Sequence, residues 1–214
     1  MYNQSEKIRL VIAAIAIIFF FIGHFLDIYL LRMIAKPIPL FMLISMVKRD
    51  THYGKFIFIG LIFSVMGDVL LEASPKLFAF GLVAFLIAHI NYIIAFLGRV
   101  KKASLAITAG LLLYGAGLYY VLYPSLDKLA IPVFFYVIII LAMVWRAFAQ
   151  RKFDSFAIFA LIGSLFFVFS DSLIAINKFY MPIDYSRGVI MATYWTAQFL
   201  IFSSAMGSAK TMSE

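Results

Sequence analysis

No cysteine occurs in the chain, which excludes disulfides, thiolate nucleophiles and cysteine-ligated metals. Redox compartment therefore leaves no mark on the sequence. Charge is scarce as well. Asp, Glu, Lys and Arg make up 13% of the 214 residues, against about 25% in a soluble domain. No polar stretch is long enough to fold as a second unit. The three histidines, His24, His52 and His89, show no i, i+4 pairing, so no metal is expected. Neither a glycine-rich phosphate loop nor a nucleophile elbow is present, and no cofactor is expected.

Apolar residues are what the chain has instead. They make up 65% of it, with a mean hydropathy of +1.04. This composition predicts a single-domain, all-α, polytopic membrane helix bundle. A crossing takes about 20 residues, and eight segments qualify, at about 8–26, 28–47, 55–72, 76–97, 103–123, 129–148, 154–175 and 187–208. The first run is too long for the apolar part of a signal peptide and lacks a clear cleavage site, so it reads as the first span. The second is the weakest, because it contains Arg32, Lys36, Pro37 and Pro39. The third is short.

Loop charge sets the orientation. With eight spans, one side holds twelve basic residues, Lys210 among them, and the other holds Lys76, Lys128, Lys178 and Arg187. The positive-inside rule then puts both termini in the cytoplasm. The net charge of +8 is thereby explained by topology, and no nucleic-acid partner is expected.

Two aspartates interrupt the apolar segments, Asp68 in FSVMGDVLLE and Asp171 in FFVFSDSLIA. A carboxylate at membrane depth costs about 2.5–3.5 kcal/mol even on the lenient insertion scale, which makes it a functional candidate by default. The orientation places both in the outer part of the membrane. Lys36, His89, Tyr194 and Gln198 fall in a similar depth range on three other spans. The two aspartate motifs lie 103 residues apart on spans of the same direction, compatible with two parallel four-helix halves.

Two carboxyls held close together can share a proton, one serving as acid and the other as base. The bland alternative is a structural pairing with Lys36. Lys36 itself could bind a phosphate, balance the aspartates or snorkel to the surface, and Pro37 and Pro39 should break the helix beside it. His89, Asn91 and Tyr92 lie in AHINYII, where a lone histidine more often bonds within the bundle. Tyr194 and Gln198, at i, i+4, share a helix face. They suit substrate contact and inter-helix hydrogen bonding equally. Gly67, Gly163, Ser164 and Ser170 suit close helix packing.

The set Lys36-Pro37, Phe63-Ser64 through Gly67-Asp68, Phe80-Gly81-Leu82 with Phe85, His89 and Tyr92, Gly163-Ser164 through Ser170-Asp171, Lys178-Phe179, and Tyr194 with Gln198 resembles the YhhN-like family of integral membrane proteins. That family includes the animal lysoplasmalogenases. The likeness runs from the second span to the eighth.

The resemblance implies hydrolysis of the vinyl ether bond of a lysoplasmalogen, giving a fatty aldehyde and glycerophosphocholine or glycerophosphoethanolamine. It implies Asp68 and Asp171 as catalytic residues, with the choice of acid left open. Lys36, His89, Asn91, Tyr92, Tyr194 and Gln198 would contact the substrate. Lysophospholipid and membrane lipids are the expected partners, and the bacterial cytoplasmic (inner) membrane is the expected location. A proton-coupled transporter of a small or lipid-like substrate is the alternative. A non-catalytic lipid-binding or assembly protein is a third reading.

Overall fold

A computed structural model describes residues 3–102 and 105–207. The ends of two expected spans, at 103 and 208, and Lys210 lie outside the described residues. Among the described residues the chain is all-helical, without strands. In order, the α-helices are α1 (Gln4–Phe25), α2 (Tyr29–Ala35), α3 (Ile38–Met46), α4 (His52–Ala73), α5 (Phe78–Arg99), α6 (Thr108–Leu122), α7 (Ala130–Gln150), α8 (Ala157–Phe179) and α9 (Ser186–Ser204).

Local chemistry explains the boundaries. Asn3 accepts from the Glu6 backbone N–H and the Glu6 carboxylate accepts from that of Asn3, both at 2.8 Å, a capping box that starts α1. Thr51 caps α4 by accepting from the Gly54 N–H at 3.0 Å. Pro37 has no N–H to continue α2, so the helix stops at Ala35 and α3 restarts at Ile38. Lys36 sits at that break. The turn into α9 passes through Tyr185 at φ 59°, a left-handed backbone rare for a residue with a side chain.

Six stretches are long and apolar enough to cross a membrane: Gln4–Phe25, Tyr29–Met46, His52–Ala73, Pro75–Arg99, Asp127–Gln150 and Ala157–Phe179. The protein is an integral membrane protein. α6 is shorter, at 15 residues. α9 has 19 and carries Thr193, Thr196, Gln198, Ser203 and Ser204.

Two hairpins form the centre of the bundle, α4 against α5 and α8 against α9. A matching glycine lets each pair close. At Gly60 a Cβ would overlap the Tyr92 ring of α5, and at Gly163 it would lie 2.8 Å from the Ala197 carbonyl of α9. Each glycine stands eight residues, about two turns, before an aspartate. Small residues at such crossings bring backbones together where lipid supplies no hydrophobic drive. The outward faces are apolar and exposed, as along α1 at Ile8, Val11, Ile15 and Ile18. Polar side chains lie inside, among them Lys36, Asp68, His89 and Gln198. α6 is peripheral, with only Gly115 and Leu122 buried.

Candidate active site

Asp68 and Glu72 are one turn apart on α4 and share a face. Lys36, delivered by the α2–α3 break, lies between them. Its Nζ is 3.8 Å from Asp68 Oδ1 and 3.3 Å from Glu72 Oε2. All three side chains are at most 9% exposed. Arg32, one turn before Lys36, reaches Glu72 at 3.3 Å and Asp27 at 2.8 Å. Arg187, at the start of α9, is half exposed and 3.8 Å from Glu72. A charged cluster therefore fills the end of the bundle where α1, α2, α4 and α9 meet. Pairing is what makes such burial tolerable.

The second oxygen of Asp68, Oδ2, has no hydrogen-bond partner among the described residues. The Tyr194 hydroxyl stands beside this carboxyl and donates to the Ser64 carbonyl at 3.4 Å. Ser64 is one turn before Asp68. Its hydroxyl lies 3.4 Å from that of Tyr92, which in turn donates to Gln198 Oε1 at 2.8 Å. Tyr92, Tyr194 and Gln198 thus form one network behind Asp68.

Asp171 has different neighbours. The Tyr136 hydroxyl of α7 donates to its Oδ2. His89 Nε2 lies 4.0 Å from the same oxygen. The His89 ring is fully buried, edge-on to Phe167 at 4.6 Å and Tyr136 at 5.3 Å. Neither of its nitrogens has a hydrogen-bond partner among the described residues. Among those residues, no lysine or arginine pairs with Asp171. Instead Asp171 lines an apolar cavity of about 50 Å³ with Phe85, Tyr114, Leu118, Tyr136 and Val168.

Between the two carboxyls lie Phe85, Phe167 and Tyr194, packed edge to face with centroids 5.4–6.0 Å apart. Each aspartate thus has its own partners on its own side of an aromatic block. They are near enough for the charge of Asp68 to act on Asp171.

Of the residues singled out from sequence, Lys36, Asp68, Tyr92, Tyr194 and Gln198 assemble on one side, and His89 and Asp171 on the other. Asn91 joins neither. Its amide donates to the Ile87 carbonyl of its own helix at 2.7 Å. Glu72, Arg32, Arg187 and Tyr136 were not singled out. Glu72 carried a signal, since it follows Asp68 by one turn. Arg32 carried one too, preceding Lys36 by one turn inside an apolar segment. Arg187 looked like an ordinary loop charge, and Tyr136 is one of twelve tyrosines with nothing to mark it. No group of three or more His, Asp or Glu side chains suited to a metal occurs among the described residues.

The model of the YhhN family matches residues 31–205. Human lysoplasmalogenase TMEM86A is 39% identical over 161 residues, covering 71% of this chain and 65% of the relative. Human lysoplasmalogenase TMEM86B is 34% identical over 149 residues, covering 70% and 62%. A protein of Mycobacterium tuberculosis (strain CDC 1551 / Oshkosh) named lysoplasmalogenase is 33% identical over 151 residues, covering 66% and 57%. The match thus spans less than two thirds of the length of these relatives. No solved structure matches the chain.

Proposed function

We propose that the chain, which belongs to the YhhN family, is an intramembrane hydrolase that cleaves the vinyl ether bond of lysoplasmalogens. The products are a fatty aldehyde and glycerophosphocholine or glycerophosphoethanolamine. The observation that carries this reading is a carboxyl without a cationic partner, Asp171, at the edge of an apolar cavity, with a cation-paired carboxyl, Asp68, across an aromatic block. Relatives named lysoplasmalogenase support it.

A vinyl ether is hydrolysed by protonation of its outer alkene carbon, which gives an oxocarbenium ion. Water adds to the carbon attached to oxygen and loses a proton. The resulting hemiacetal collapses to aldehyde and alcohol. The logic is that of the two carboxyls of a glycosidase. Asp171 is the proton donor in this reading. An ionised carboxylate without a cation is costly in apolar surroundings, so the neutral, proton-bearing form suits its place. Tyr136 and His89 fix its orientation.

Asp68, paired with Lys36, opposes the developing cation and accepts from water at Oδ2. Lys36 also joins the carboxyl to the cationic group with Arg32 and Arg187, where the lipid phosphate docks. Tyr92, Tyr194 and Gln198 hold the Asp68 side in register.

The same reading has eight crossings, α2 and α3 together forming the second, and α6 and α9 the fifth and eighth. Both termini are cytoplasmic and the site lies in the outer half of a bacterial inner membrane. A C-terminal reporter found outside the cell would overturn that orientation.

Aldehyde release from choline and ethanolamine lysoplasmalogens tests the activity, using detergent-purified protein beside Asp68→Asn and Asp171→Asn. Release without any gradient, reduced in both folded variants, supports the hydrolase and excludes transport as its basis. Well-folded wild type that releases nothing overturns the vinyl ether reading.

A further inference from the structure

We infer that the membrane-facing groove between α6 and α7 is the binding site for the lipid's single hydrocarbon chain, which reaches Asp171 through the wall formed by Val137 and Leu141. This rests on the hydrolase reading for the identity of the lipid, but the groove itself stands on geometry.

The groove has a volume of about 690 Å³ and no charged residue in its lining. That size lies within the roughly 300–1,000 Å³ of small-ligand sites. The cavity at Asp171, by contrast, is about 50 Å³. It has room for a few waters and not for a chain. The two spaces are neighbours. Val137 and Leu141 of α7 line both, so the partition is one side chain thick.

On the α6 side the partition meets Gly115, where a Cβ would lie 2.6 Å from Leu141 Cδ1 and 3.3 Å from Val137 Cγ1. The absence of a side chain there is what lets Leu141 close the gap. α6 itself is lightly held. Beside Gly115 and Leu122, its side-chain hydrogen bonds to other helices among the described residues are Tyr114 with Ser172 at 2.7 Å and Tyr119 to the Ala130 carbonyl at 3.2 Å. Ser172 is the residue after Asp171, so the Tyr114 tie lies beside the carboxyl a chain would have to reach.

A bilayer chain can fill any apolar groove, and the bundle offers a control. A second groove of about 570 Å³ runs between α1, α3 and α9, lined by Ala13, Ala14, Ile17, Leu40 and Trp195 among others. It shares no lining residue with the Asp171 cavity. Continuity with that cavity is what assigns the chain to the α6–α7 groove.

The test uses the full chain in lipid nanodiscs with an alkyl lysophosphocholine carrying a photoreactive diazirine in mid-chain. This ether is not a vinyl ether, so labelling reports binding whether or not hydrolysis occurs. The expected result is labelling of α6 and α7 peptides that excess unlabelled alkyl lysolipid competes away, with labelling at α1 and α9 uncompeted. Ala116→Trp, which fills the groove from its exposed side, should abolish the competed labelling. It should also lower kcat/KM for long-chain lysoplasmalogen about tenfold, the scale set by losing a few methylene contacts. A vinyl ether with a chain of a few carbons should be unaffected. Ala14→Trp, in the control groove, should change neither.

Equal or uncompeted labelling of both grooves overturns the inference, as does a full effect of Ala116→Trp on the short-chain substrate. Competed labelling of α6 and α7 without aldehyde release leaves the chain site standing and removes the hydrolase reading. Aldehyde release with competed labelling elsewhere does the reverse.

Discussion

Asp68 and Asp171 occupy matching places in two helical hairpins and face opposite kinds of surroundings. Each stands two turns after the glycine that lets its helix close on the next one. Yet Asp68 meets Lys36 and, through Glu72, the charges of Arg32 and Arg187. Asp171 meets a tyrosine hydroxyl, a fully buried histidine and an apolar cavity. The difference comes from what packs opposite. α4 faces the broken α2–α3 segment, whose gap brings in a lysine, whereas α8 faces α7, which offers Tyr136 in an otherwise apolar stretch. Similar hairpins have produced a charge-compensated carboxyl and an isolated one. Unlike surroundings of this kind are what the proposed division into acid and anion rests on.

The division breaks most visibly at Asp171. Asp171→Asn removes the proposed proton donor with little change in side-chain volume. Lysoplasmalogenase turnover should fall about 10²–10⁴-fold, the usual worth of a general acid, while the helical circular dichroism and melting temperature hold. Asp68→Asn should cost less turnover. An Asp171→Asn protein as active as wild type would end the assignment of the acid to α8.

Lys36 tests the other side, and there the loss should be in stability. Lys36→Met leaves Asp68 and Glu72 without their shared cation, and removal of one partner of a buried pair costs about 3–5 kcal/mol. Thermal melting in detergent should show it. The double variant Lys36→Met/Asp68→Asn should recover part of the loss, because it removes the carboxylate that loses its cation, whereas Glu72 keeps Arg32 and Arg187. No recovery would mean that Lys36 acts mainly through Glu72.

Much of this arrangement was legible in the sequence, for a physical reason. Membrane thickness sets segment length, so helix positions follow from apolar runs, and proline at 37 marked the break that the backbone makes. Charges in such runs are rare enough to stand out, which brought Asp68, Asp171 and Lys36 forward. The partners of Asp171 were half hidden. His89 is a rare residue type in this chain, but Tyr136 is chemically ordinary until the helix facing it is known. Glu72 borders a polar turn and so marks the end of a span, which masks its i, i+4 relation to Asp68. α6 ends at Leu122, beside the expected end of the fifth span at 123, but its helix begins only at Thr108, after a stretch whose first residues lie outside the described ones.

Tyr136→Phe sharpens the comparison at a smaller scale. It deletes the hydroxyl that donates to Asp171 and leaves the ring beside His89. Loss of a hydrogen bond to a carboxyl is worth about 1.5–3 kcal/mol when the acceptor is charged and about 1 kcal/mol when it is neutral. A proton-bearing Asp171 turns anionic as it donates, so the bond strengthens from the neutral toward the charged value in the transition state, and kcat should fall roughly fivefold to tenfold by that difference. An unchanged kcat would mean that Asp171 gains no charge in the transition state. The acid would then have to be sought at Asp68.

Asn91→Ala should do least, and that is its use. Asn91 shares α5 with His89 and Tyr92, is buried, and has the polar amide expected of a substrate contact. Its donor is nevertheless committed to the Ile87 carbonyl one turn back, a bond within its own helix. Such a bond adds little to the helix, because the carbonyl already accepts from the backbone. Turnover should therefore stay within about twofold, and stability should change by about 1 kcal/mol or less. A tenfold loss of kcat/KM with unchanged kcat would place substrate against this third face of α5. The contrast between the two aspartates would then describe only part of the site.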